Sequence, residues 1–146
     1  MHAAMILRCP RRPRRPPAYN RGMSKPGVVL FAHGARDPKW SEPFESLARR
    51  FAALAPDVPV SLAYLDFMSP DLPGAVRALA ARGCDAITIV PAFLGVGGHV
   101  RQDVPAIVEA IAREHPHVTL RVASALGEDA SVQEAMARAS VAAAKA

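Results

Sequence analysis

Apolar positions along this chain fall into two alternating patterns. Residues 27–32, "GVVLFA", are continuously apolar and bounded by polar residues. A short run of that kind predicts a strand buried on both faces. After a polar loop, Phe44, Leu47, Phe51 and Leu54 recur at helical spacing. They predict a helix over about residues 41–54, with Ser41 as its cap and Pro43 in its first turn. From Val58, "VPVSLAYLD" predicts a second strand, and Pro59, which has no N–H to donate, predicts that it lies at a sheet edge. Ser69, Pro70 and Asp71 open the next helix, with Leu72, Val76 and Leu79 inward and Gly83 closing it in a left-handed turn. "DAITIVPAF" again predicts a fully buried strand. "LGVGGHVRQD" predicts a glycine-rich loop that leads into a helix with Val104, Ile107, Val108 and Ile111 inward. "VTLRVASAL" alternates, with Arg121 outward, and predicts an edge strand. A last helix from about Ser131 would turn Val132, Met136 and Ala139 toward the core.

Strand followed by helix, repeated throughout, predicts an α/β fold: a four-stranded parallel sheet flanked by helices on both faces. The first and third strands are the fully apolar ones, so they belong in the middle. The predicted strand order is therefore 2-1-3-4. That order puts a topological switch point between strands one and three, where ligands of open α/β sheets collect at the carboxyl edge.

Charge divides the chain in two. Residues 1–25 hold seven of the 18 Lys and Arg residues and no acid, which leaves eleven cations against thirteen acids in residues 26–146. The predicted domain, residues 26–146, is thus mildly acidic, and a phosphate-binding face is not expected on it. Residues 1–25, rich in Pro and Arg, have no periodicity and are expected to be disordered. Met23 stands just ahead of the first strand, so residues 1–22 read as an overrun of the start site, with a nucleic-acid-binding or lipid-binding arm as the alternative. Cys9 and Cys84 form no CxxC pair, and Cys84 reads as a small buried apolar residue. No apolar run approaches the roughly 20 residues of a membrane span. A cytoplasmic protein without membrane or nucleic-acid partners is expected.

Three residues able to bind a metal end up at the same sheet edge. His33 follows strand one, Asp66 follows strand two, and His99 lies in the loop after strand three. Two imidazoles and a carboxylate suit a divalent transition metal with an open coordination position. Structural uses compete: either histidine can be an ordinary hydrogen-bonded residue, and an acid ending an edge strand often shapes a turn. Gly34, Gly95, Gly97 and Gly98 would let a flat or bulky ligand come close to the backbone. Arg36, Lys39 and Arg101 would meet its anionic groups. Trp40 reads as packing on the first helix, and His115 and His117 as solvated. No G-x-S-x-G elbow and no P-loop is present, which argues against a serine hydrolase or a P-loop NTPase.

"VVLFAHGARDP", "AYLDFMSPDL" and "ITIVPAFLGVGGHVRQDVPAI" together resemble the class II tetrapyrrole chelatases, in particular the small CbiX type of sirohydrochlorin cobaltochelatase, with SirB as its siroheme relative. The resemblance covers residues 27 to about 143. It implies a flavodoxin-like chelatase half-domain that works as a homodimer, with the site in the cleft between copies. It implies insertion of a divalent metal, cobalt or else ferrous iron or nickel, into sirohydrochlorin without ATP or organic cofactor, in cobalamin or siroheme biosynthesis. His33 and His99 would hold the metal and take pyrrole protons, and Arg36, Gly97, Gly98 and Arg101 would bind the tetrapyrrole. Asp66 stands where the family usually has Glu, and Ala35 and Ser41 where it often has Ser and Asn. Those departures keep a second reading open, a non-catalytic carrier of a divalent metal or tetrapyrrole.

Overall fold

The computed structural model describes residues 24–146, apart from the side chain of His99. The expected basic tail lies, up to residue 23, outside the described residues. Four strand–helix units follow: β1 (Pro26–Ala32) and α1 (Glu42–Leu54), β2 (Val60–Tyr64) and α2 (Leu72–Ala81), β3 (Ala86–Pro91) and α3 (Gly98–Glu114), β4 (Thr119–Val122) and α4 (Ala130–Ala144). Short 3-10 turns at Pro38–Ser41 and Leu126–Glu128 precede α1 and α4. The strands form one parallel sheet in the order β2-β1-β3-β4, as their polarity predicts. Leu30, in the middle of β1, pairs with Leu62 on one side and Val90 on the other.

The core lies on one face of this sheet. Val29 and Phe31 of β1 and Ile87 and Ile89 of β3 point toward Leu72, Val76 and Leu79 of α2 and Val104 and Ile111 of α3, all buried in one cluster. Cys84 is buried in the same cluster, under Gly27, as a small apolar residue. Lys25 ties the start of β1 down: its N–H donates to the Asp85 carboxylate at 2.7 Å, and its ammonium donates to the Arg82 carbonyl at the end of α2 at 2.7 Å. A cation there meets the negative end of the helix dipole. Asp71 caps α2 by accepting from the Gly74 N–H at 2.9 Å, and Gly83 closes it at φ +87°, as expected.

The opposite face is covered differently from the expectation. α1 packs on β2 and β1, but it has no fully buried residue. Phe44, Leu47 and Phe51 are half-buried, while Leu54, expected on the same stripe, is 87% exposed. Ser41 precedes α1 without capping it. Its hydroxyl donates to the Pro38 carbonyl and is paired with the Glu45 carboxylate at 2.8 Å. Trp40 packs on Phe44 of α1 with ring centroids 4.6 Å apart, the use expected of it. The largest departure is α4. Met136 and Ala139 are exposed and only Val132 is half-buried, so the helix does not turn its apolar stripe onto its own sheet. Its stripe marks a face, but nothing in the stripe specifies what that face meets.

Candidate active site

β1 delivers His33 to the carboxyl edge because four buried apolar residues, Val29 to Ala32, end one position before it. The parallel ladder continues past the formal strand ends: the Leu65 N–H donates to the Ala32 carbonyl and the Asp66 N–H to the His33 carbonyl, both at 2.9 Å. The His33 backbone is thereby fixed while its ring remains exposed. Gly34 turns away at φ +87°, and a Cβ there would lie 1.9 Å from the Asp66 carbonyl oxygen. The missing side chain of Gly34 therefore accommodates another loop of this chain, not the ligand expected there. Gly95, Gly97 and Gly98 differ, since a Cβ at each would meet nothing within 4 Å.

The His33 imidazole lies on the ring of Phe93, with centroids 4.2 Å apart and planes 30° apart. Phe93 follows β3 and is 4% exposed. Asp66 follows β2 and is exposed; it shapes the turn through its backbone, accepting from the Met68 N–H at 2.8 Å. Phe67, next to it, has φ +63° and is 67% exposed, with the Arg36 guanidinium 4.8 Å above its ring. Leu94, one residue past Phe93, is 70% exposed. An exposed histidine after β1, an exposed phenylalanine with a cation over its ring after β2, and an exposed leucine after β3 thus lie at the same sheet edge.

His99 lies in the first turn of α3, not in the preceding loop as the glycine-rich composition suggested. Gly97 takes the N-cap position with no side-chain cap, so the first N–H groups of α3 have no side-chain acceptor and carry the positive end of its dipole. Arg101 is exposed in the same turn. Pro105 then removes the helical donor for the Arg101 carbonyl. Among the described residues, which leave out the side chain of His99, no three His, Cys, Asp or Glu side chains gather into a metal-binding group. Lys39 is exposed in the turn before α1, and Asp37 caps that turn by accepting from the Lys39 N–H at 3.0 Å. His115 and His117 sit at the far end of α3, away from this edge, with rings 6.2 Å apart.

Sequence reasoning missed Phe93, Phe67 and Leu94 as parts of the site. Phe93 reads as the tail of a buried strand, and its contact with His33 spans 60 positions along the chain. Phe67 and Leu94 carry one usable signal: each is a large apolar residue three positions past a strand end, where a polar loop is expected.

The family model for CbiX matches residues 27–143, a span that runs from the second residue of β1 through most of α4 and contains every residue of the candidate site. The chain belongs to the CbiX family. A CbiX chain from Marinobacter aquaeolei VT8, whose name ties it to cobalamin (vitamin B12) biosynthesis, has the same fold with a TM-score of 0.73 and 32% identity over 82% of this chain and 98% of that one. A sirohydrochlorin cobaltochelatase from Methanothermobacter thermautotrophicus is 36% identical over 84 residues, 58% of each chain. Another, from Sulfurisphaera tokodaii, is 28% identical over 111 residues, 74% of this chain and 85% of that one. The sirohydrochlorin chelatase SirB from Bacillus subtilis subspecies spizizenii, solved with cobalt, shares the fold at 19% identity and a TM-score of 0.64; the match covers 69% of this chain and 43% of SirB.

Proposed function

We propose that this CbiX protein is a lyase-type chelatase that inserts a divalent metal ion, cobalt, into sirohydrochlorin without ATP, as a step of cobalamin or siroheme biosynthesis. The observation that carries the reading is the exposed His33 ring at the switch point, next to the strand whose following helix opens with His99. The family match and the names of the curated relatives support it. In this reading the metal is a substrate, and His33 and His99 hold it first. A tetrapyrrole takes up a divalent ion only as two pyrrole N–H protons leave. A neutral imidazole that releases the metal can accept one such proton, so two histidines match the stoichiometry. Two ligands, with Asp66 close by, also hold the ion loosely enough to give it up, unlike a closed four-ligand cage.

The apolar surface of Phe67 and Leu94 suits the faces of a macrocycle. Arg36, Arg101 and the N–H groups around Gly97 and Gly98 suit its peripheral carboxylates. We place the working unit as a homodimer in the cytoplasm. The unpacked α4 and the match to less than half of the SirB chain support the dimer. For the cytoplasm, the supporting facts are the family and that no helix among the described residues is long and apolar enough to cross a membrane.

The test mixes purified protein, Co²⁺ and sirohydrochlorin and follows the change in the macrocycle's absorbance. The wild-type rate should exceed the uncatalysed rate, and His33→Ala and His99→Ala should each bring it down by at least about 100-fold or to background, the scale of a lost acid–base group. Wild-type rates in both variants would refute the assignment. Stoichiometric binding without faster insertion would make the protein a carrier of metal or tetrapyrrole.

A further inference from the structure

We propose that Phe93 is the positioning residue for His33: its ring fixes the plane in which the imidazole presents its nitrogens. This rests on the reading of His33 as a metal-handling group. Histidines that bind metals are usually oriented by a hydrogen bond to the second ring nitrogen. Here no hydrogen bond among the described residues holds the His33 ring, and the stacked contact at 4.2 Å takes that place.

Phe93 is itself firmly held. It is 4% exposed and packs on Phe31 with ring centroids 5.8 Å apart. Its carbonyl accepts from the Gly127 N–H at 2.8 Å, and a Cβ on Gly127 would lie 2.1 Å from the Leu94 carbonyl oxygen, so the two loops interlock beside it. The His33 backbone is anchored from the other side, through Asp66. With both its backbone and one ring face fixed, the imidazole offers its remaining surface at the ring edge. A nitrogen lone pair lies in the ring plane, so an ion must approach along that edge. An aromatic hydrocarbon neither binds the ion nor takes a proton. It leaves one nitrogen for the metal and the other free to exchange a proton with solvent or substrate.

The experiment compares wild type with Phe93→Leu, which keeps an apolar side chain but loses the ring, and Phe93→Tyr, which keeps the ring. In wild type, the His33 ring protons should resonate upfield of solvated histidines through the Phe93 ring current, and this shift should vanish in Phe93→Leu. For Co²⁺ insertion, kcat should fall by about 3- to 10-fold in Phe93→Leu with KM for sirohydrochlorin unchanged, the size of an aromatic contact expressed as a rate, and return in Phe93→Tyr. Co²⁺ titration repeats the comparison without turnover, with weaker binding expected in the Leu variant than in the Tyr variant. A wild type that binds Co²⁺ but never inserts it would sink the functional reading alone, while the titration still decides on Phe93. Unshifted His33 protons in wild type, or a Leu variant with wild-type kcat and Co²⁺ affinity, would overturn the proposal. So would equal losses in both variants, which mark a purely structural role.

Discussion

Gly34 joins structure to chemistry at a single residue. Its φ of +87° is strained for any residue with a Cβ, and the space that a Cβ would need is taken by the Asp66 carbonyl. Gly34→Ala should therefore destabilise the fold by about 2–4 kcal/mol, the backbone strain adding to the clash. It should also displace the Asp66 N–H from the His33 carbonyl, so metal insertion should fall even where the variant is folded. Urea unfolding followed by circular dichroism checks the first expectation, and an unchanged midpoint would show that the two loops are free to separate. The sequence made His33 and the glycine visible because both stand directly after a continuous apolar run. It did not show what the glycine accommodates. That depends on a loop more than 30 positions away, and composition is silent about which loops touch.

At the scale of the element, strands were easier to read than helices, for a physical reason. β1 and β3 each have a neighbouring strand on both sides and are almost entirely apolar, so their runs stand out and their central places follow; β1 is buried nearly throughout, while β3 is fully buried at every second residue only. A helix shows only that one face is apolar. That was enough for α2 and α3, whose stripes are buried, but it gave too much to Leu54 of α1 and to Met136 of α4. Paired glycines argue for a loop, and only the N-cap geometry at Gly97 places the start of α3 at Gly98.

The start of α4 offers a test at this scale. The Asp129 carboxylate accepts from the Ser131 N–H at 2.8 Å, from the Ser131 hydroxyl, and from the Val132 N–H at 3.4 Å. These bonds hold its pKa below the ordinary 3.8, the Ser131 hydroxyl contributing most. A lowered folded-state pKa means that the cap stabilises α4 above about pH 4 and loses that effect as pH falls through the lowered value. Amide exchange should show the first turn of α4 losing protection as pH falls from about 5 to about 2, so that the range passes through the lowered value. Asp129→Asn, which accepts but does not titrate, should remove this acid step. If protection in the first turn is the same at both ends of that range in wild type, the cap does not hold the helix.

For the whole molecule, α4 presents an energetic problem that the single chain does not solve. An isolated helix of about 15 residues is marginal in water even when rich in alanine, because its nucleation cost is barely repaid. α4 spans Ala130–Ala144 with no buried residue, and Met136 and Val141 are 42% and 53% exposed. The half of the sheet not covered by α1 also ends in an exposed Val122 at the β4 edge. In the proposed dimer a second copy would cover the α4 stripe, and it would bring a second His33 and His99 into the same particle. The expectation is a dimer by light scattering at micromolar concentration, dissociating on dilution. Met136→Glu and Ala139→Glu should each shift the particle toward the monomer while the sheet keeps its circular dichroism, because a carboxylate buried at a contact between copies is costly and one on a free helix is not. Metal insertion should fall in step with the loss of dimer if the cleft between copies is where the tetrapyrrole sits. A wild-type particle of single-chain mass at tens of micromolar, with α4 still helical, would mean that the capped helix stands alone and that one copy carries the whole site.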